Sequence, residues 1–211
     1  MRLGFLASGN GSAMCAIVTA IEEGALCAEA RLAVSNKPGA PALEFARAHG
    51  IETLCIRTLP DPGAADERLA EALEGAGVEV VVLSGYLRRL AARVLGAYEG
   101  RILNIHPALL PRFGGKGLYG RAVHEAVSAA GETKTGASVH MVDEIYDHGP
   151  VLAQAEVRIA AGEDPQSIEA KVRALEPELF LSTLKAIVEG RIRLPRLEPP
   201  EGPGIISDNL S

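Results

Sequence analysis

The chain has 211 residues, 47% hydrophobic and 23% charged, with a net charge of −6. That length and balance suit a soluble globular protein with one domain and a sizeable core. The acidic excess argues against a general nucleic-acid surface, and no apolar run approaches membrane-spanning length.

The N-terminal MRLGFL begins a short apolar run, Arg2–Ala7, which Ser and Gly break too soon for a signal peptide. It reads as a buried strand that turns through SGNGS into a helix over Ala13–Glu23. A strand over Ala30–Ser35, a helix over Pro41–His49, a strand over Ile51–Ile56 and a helix over Ala64–Ala76 follow. Val78–Leu83 (VEVVVL) is nearly all β-branched, as a strand covered on both faces should be. Arg101–His106 is the next strand, Val123–Ala130 a helix, Ala137–Val142 and Val151–Ile159 strands, and Gln166–Glu189 a long helix begun at Pro165. Strands alternating with helices predict an α/β fold: a mostly parallel twisted sheet with helices on both faces. Residues 1–194 are expected to form one domain and the proline-rich stretch 195–211 a loose tail.

Cys15, Cys27 and Cys55 form no C-x-x-C pair, so neither a disulfide framework nor a zinc site is expected, and a reducing cytoplasm fits. Their Ala-rich or apolar surroundings predict small core residues. His124 reads as a surface or packing residue on its helix, and His49 and His148 as loop or helix-end residues. Lys37 and Lys116 lie in glycine-containing loops and read as solvated.

Two stretches carry chemistry. In an open α/β sheet, ligands sit past the carboxyl ends of the strands. There Gly9, Gly11 and Ser12 of SGNGS can aim backbone N–H groups and a helix N-terminus at a phosphate. A dinucleotide fingerprint would need a third glycine where Met14 stands, so a monophosphate fits better than a nicotinamide cofactor. In LNIHPALLP (Leu103–Pro111), Asn104 and His106 are two apart on a strand and face the same way. One offers neutral N–H donors and the other a proton carrier, together enough to stabilise an oxyanion and move a proton. Orienting carboxylates are available in DEIYDHGPVLAQ: Asp143, Glu144 and Asp147, the last on a loop able to fold back toward His106. Such a neighbour favours the protonated ring. His140 in SVHMV is a possible support from a neighbouring strand. No metal-ligand spacing is present.

SGNGS, LSGYLRRL, LNIHPALLP, GASVHMV and YDHGPVLAQ, in this order, resemble the glycinamide ribonucleotide transformylases, folate-dependent formyltransferases of purine synthesis. The likeness runs from Arg2 to about Glu189. It implies a Rossmann-like formyltransferase fold, with a phosphate-binding half at about 1–100 and a catalytic and folate half at about 101–194. By position it implies a catalytic trio of Asn104, His106 and Asp147. Gly11, Ser12 and Ala13 would hold the ribonucleotide phosphate, with Arg173 and Glu176 reaching the same substrate. Leu87, Arg88, Arg89, Leu90, Asn104 and the loop Asp143, Glu144, Ile145, Tyr146, Asp147 would bind folate. The formyl donor would be 10-formyltetrahydrofolate, with no metal. Partners would be small molecules, with no nucleic acid and no membrane, and the state a monomer or homodimer.

Three departures qualify the likeness. Ala13 replaces the usual Asn of the phosphate loop. PRFGGKGLYG (Pro111–Gly120) is longer than in many relatives. Arg68 lies out of register with the arginine that many relatives place near folate. Other formyltransferases or a hydrolase on the same scaffold, and a non-catalytic nucleotide-binding module, are the competing readings; the last leaves Asn104, His106 and Asp147 without purpose.

Overall fold

In the computed structural model, residues 1–195 are described. Within them the chain runs β1 (Arg2–Leu6), α1 (Ser12–Glu22), β2 (Glu29–Ser35), α2 (Pro41–Ala48), β3 (Glu52–Cys55), α3 (Pro62–Gly75), β4 (Val80–Leu83), α4 (Ala92–Ala97), β5 (Ile102–His106), α5 (Arg121–Ala129), β6 (Lys134–Met141), β7 (Val151–Arg158) and α6 (Pro165–Val188). Each expected element is present, with ends shifted by a few residues. Helix α4 was not expected, since its six residues are too few to show a helical period. The expected tail lies, beyond Pro195, outside the described residues.

One sheet has the order β3-β2-β1-β4-β5-β6-β7. The strands from β3 through β5 are parallel, and β6 and β7 join antiparallel. Strand order reverses between β1 and β4, the switch point where a crevice opens past the strands' carboxyl ends. The turns leaving β1 and β4 therefore meet there.

Alternation divides the apolar residues between two layers. Leu3, Phe5, Val80, Val82 and Leu103 face one core with α1, α2 and α6, whereas Leu6, Val81, Leu83 and Ile102 face the other with α3 and α4. Gly4 has no side chain because Leu73 and Val78 already fill that space; a Cβ there would lie 2.8 Å from Leu73. The cysteines depart from expectation. Cys27 and Cys55 are exposed and Cys15 is half-buried, because Cys27 stands in the α1–β2 turn and Cys55 ends the edge strand β3. His49 fits a helix end: it stacks on Phe45 and lies 2.7 Å from Glu22.

A buried carboxylate orders the segment after β4. Asp66, 8% exposed on α3, accepts hydrogen bonds from the backbone N–H groups of Ala91 (2.9 Å), Arg93 (3.0 Å) and Val94 (3.3 Å). It thus does the work of an N-cap for α4, whose own N-cap position, Ala91, has no capping side chain. Asp66→Ala would leave those N–H groups without their acceptor. The expected cost is about 2–3 kcal/mol, read as a lower urea midpoint with an unchanged slope.

Candidate active site

The β1–α1 turn is held tightly. Gly11 has φ 65°, and a Cβ there would lie 3.0 Å from that of Ala42, so glycine meets both demands. The Gly9 carbonyl accepts from the Ala42 N–H at 3.1 Å. No side chain caps α1. The Met14 N–H goes to Ser84 Oγ at 3.0 Å, so the N–H groups of Ser12 and Ala13 are the ones this helix end offers to an anion. Ala13 itself is 3% exposed and packs in the core; its methyl faces away from any ligand role.

Asn104 and His106 leave β5 on the same side, and the antiparallel register sets His140 opposite Asn104. His140 Nδ1 lies 2.8 Å from the Met141 carbonyl and must carry the proton to donate there. Its Nε2 is then free to accept from Asn104 Nδ2 at 3.1 Å. This pair orients the amide and leaves the second N–H of Asn104 for another acceptor. Burial pushes the His140 pKa down, against the pull of the Met141 carbonyl and Asp147, which suits a ring that accepts.

His106 is 3% exposed and faces an acceptor at each nitrogen. Nε2 lies 2.7 Å from the Phe113 carbonyl, and Nδ1 lies 3.5 Å from Asp147 Oδ2. Only a doubly protonated ring donates to both. The other Asp147 oxygen is 3.6 Å from His140 Nε2, and Oδ2 also accepts from the Gly115 N–H at 2.9 Å. Thus the acid does fold back onto the imidazole. Among the described residues, Phe113 (φ 56°) and Asp147 (φ 55°) are the non-glycine residues with positive φ, and they are the two that hold His106. Such backbone costs about 1–3 kcal/mol per residue and persists where surroundings impose it. Glycines allow both the closing of the Asp147 loop and its meeting with the Phe113 segment: a Cβ on Gly149 would lie 2.0 Å from the Met141 carbonyl oxygen at the loop's base, and one on Gly114 3.2 Å from Asp147 Cβ.

The segment after β4 and the Asp147 loop touch along one face. Arg89 donates to the Glu144 carbonyl at 3.0 Å and stands over the Tyr146 ring, 5.7 Å from its centroid. Leu87, Ile145 and Tyr146 are large apolar side chains left exposed here, a surface suited to a flat heteroaromatic ring. Arg88 is exposed as well, while Leu90 is 5% exposed and packs in the core, leaving its side chain no room to line a cleft. Asp143 organises the loop: it accepts from the Ile145 N–H at 2.8 Å and lies 3.0 Å from His148 Nδ1. Burial acts to raise its pKa, but the bonds from His148 and the Ile145 N–H outweigh it and hold the carboxyl below its ordinary value. Arg68 lines a separate depression of about 500 Å³ with Arg57, Leu59 and Asp61.

On α6, exposed Arg173 pairs with Glu169 at 3.5 Å. Glu176, partly buried one turn on, has its pKa pushed up to about 7, chiefly by burial, with Arg173 opposing and Glu169 adding. His124 is 2% exposed, a packing residue, and its Nδ1 has no partner among the described residues. Burial pushes its pKa down, and Glu169, His106 and Arg173 all act on it. Among the described residues, no group of three or more His, Cys, Asp or Glu side chains could hold a metal ion.

A family described as formyl transferase matches residues 1–184. The chain belongs to the formyl transferase family. It is 38% identical over 195 residues to the chloroplastic phosphoribosylglycinamide formyltransferase of Arabidopsis thaliana, covering 91% of this chain and 67% of that one. It is 36% identical over 189 residues to the phosphoribosylglycinamide formyltransferase of Bacillus subtilis, covering 89% and 94%. The solved structure of glycinamide ribonucleotide transformylase 1 from Symbiobacterium toebii superposes with a TM-score of 0.84 at 32% identity, covering 92% of this chain and 90% of that one. Some relatives are longer: the chain spans 62% of the Vigna unguiculata chloroplastic formyltransferase and 15% of a trifunctional purine biosynthetic protein of Drosophila pseudoobscura. No helix among the described residues is long and apolar enough to cross a membrane.

The Glu176 proton has a measurable consequence. The folded protein binds it more tightly than the unfolded chain, where the value is 4.5. The stability it contributes is complete below the unfolded value and is lost as pH rises through about 7. Between about pH 5 and about pH 8, wild type should lose more of its urea midpoint than Glu176→Gln. Equal losses in the two proteins would show that Glu176 is ionised throughout.

Proposed function

We propose that the chain transfers a formyl group from 10-formyltetrahydrofolate to the amine of glycinamide ribonucleotide, a step of purine biosynthesis, through Asn104, His106 and Asp147. One observation carries the residue assignment: the acid, distant in sequence, folds back onto an imidazole that shares a strand with the amide, beside a phosphate-suited helix end and exposed apolar side chains. The relatives' names supply the acceptor and the transferred group, and the likeness in sequence suggests the folate donor.

The ribonucleotide phosphate lies on the N–H groups of Ser12 and Ala13 beside Gly11, with Arg173 and Glu176 of α6 reaching the same substrate. The folate ring lies between Leu87, Arg88, Arg89 and Leu90, the last through its backbone, and the loop Asp143, Glu144, Ile145, Tyr146, Asp147. The amine attacks the formyl carbon, an oxyanion develops on the formyl oxygen, and the folate nitrogen leaves with a proton. Asn104, oriented by His140, donates its free N–H to that oxyanion. His106 adds positive charge and relays the proton, steadied by Asp147. To reach a reacting atom, His106 Nε2 must give up the Phe113 carbonyl, so the glycine-rich segment from Phe113 to Gly117 shifts during turnover. Residues 1–194 act as one formyltransferase domain, with no metal, no nucleic acid and no membrane as partner. A cytoplasmic setting follows from cysteine usage alone, and the Arabidopsis relative is chloroplastic by name.

Tetrahydrofolate release is the direct test, followed spectroscopically with the ribonucleotide present, absent, or replaced by water alone. Release that depends on the ribonucleotide supports transfer, and release in its absence identifies a hydrolase. Asn104→Ala and His106→Ala should each lower kcat by about 100- to 1000-fold. Near-normal turnover in either folded variant would remove that residue from the mechanism.

A further inference from the structure

Two buried hydroxyls connect the loops assigned above to different substrates. Ser8, at the start of the phosphate loop, is 2% exposed, and Ser84, at the end of β4, is 4% exposed. Ser8 Oγ donates to Asn36 Oδ1 at 2.6 Å and accepts from the Leu87 N–H at 2.8 Å. Ser84 Oγ accepts from the Met14 N–H at 3.0 Å. The arrangement is crossed: a hydroxyl of the phosphate loop holds the folate segment, and a hydroxyl of the folate side holds the first turn of α1.

Each bond has a directional role. Asn36, 8% exposed, takes the Ser8 proton, so a lone pair of Oγ is what faces Leu87. That contact pins the backbone where the exposed Leu87 side chain and Arg88 begin. Ser84 occupies the Met14 N–H, leaving those of Ser12 and Ala13 to an anion and setting the direction of the helix end. Backbone bonds from the Ser8 N–H to Gly85 (3.1 Å) and from the Ser84 N–H to Leu6 (2.8 Å) join the same loops without either side chain. Removal of one hydroxyl thus leaves the turn connected.

We infer that Ser8 and Ser84 are positioning residues that each serve the opposite site: Ser8 aligns the folate-binding segment, and Ser84 aligns the N–H groups that hold the ribonucleotide phosphate. The inference rests on the assignment of loops to substrates made under Proposed function. Neither serine touches a reacting atom; each acts through a backbone N–H.

The crossed arrangement gives crossed kinetics. Ser8→Ala should raise KM for 10-formyltetrahydrofolate about five- to tenfold and leave KM for glycinamide ribonucleotide near wild type. Ser84→Ala should do the reverse, raising the ribonucleotide KM by a similar factor, and Ser84→Thr should restore it. Asn36→Ala, which releases the Ser8 hydroxyl, should raise the folate KM as Ser8→Ala does, and it carries that arm if Ser8→Ala does not fold. A general loss of structure would instead lower the melting temperature and raise both KM values together. The inference is overturned by uncrossed effects, by equal effects on both substrates, by no effect in folded variants, or by failure of Ser84→Thr to restore binding. Asn104→Ala run beside them separates the two levels. If it abolishes turnover while the serines show no crossing, the site reading stands and this inference falls; if it is fully active, the site reading has failed first.

Discussion

A buried imidazole with an acceptor at each nitrogen is the constraint around which the C-terminal half is arranged. His106 has lost nearly all solvent, so both of its ring nitrogens must find their partners within the protein. The Phe113 carbonyl meets one and the Asp147 carboxylate faces the other. Both suppliers adopt left-handed backbone, and Gly114 stands where the two loops would otherwise collide. Local conformational preference is thus overruled at the two positions where the ring requires partners. The strain sits beside the buried His106 ring, and it is upheld by the bond from Gly115 to Asp147 and by the fit of Gly149 against Met141.

The sheet gives this arrangement its rigidity. Asn104 and His106 leave one strand two residues apart, so their separation is a property of the strand and not of a loop. Antiparallel addition of β6 then sets His140 opposite Asn104, where its unprotonated nitrogen fixes the amide. Parallel pairing of β1 with β4 brings the β1–α1 turn beside the segment after β4. A switch point thereby places an anion-suited helix end, exposed apolar side chains and the Asn–His pair along one edge. Three buried polar side chains reinforce that edge from below: Ser8, Ser84 and Asp66 spend their hydrogen-bonding capacity on backbone N–H groups of neighbouring loops.

Much of this was legible in the residues. Alternating apolar and helical periods gave the order of elements, because both faces of a parallel sheet must be covered and its strands lack polar positions. Asn104 and His106 showed themselves by spacing, Asp147 stood among the carboxylates of its loop, and the resemblance singled it out. The short helix α4 was not visible, since six residues carry no period and its cap comes from another helix. The exposed cysteines were misread because apolar neighbours in sequence say nothing of an edge strand or a turn. Ala13 and Leu90, matched by position to ligand-binding roles, turned out to have buried side chains.

From its residues alone, this protein's elements, its mostly parallel sheet and the candidates for its reactive groups could be derived, for these depend on spacing along the chain. Which groups meet was decided by tertiary structure: Asp147 on His106, His140 on Asn104, Ser8 on Leu87 and Ser84 on Met14. Those contacts join segments far apart in sequence, and a hydrogen bond depends on distance and direction in space, which only the packed sheet and its loops determine.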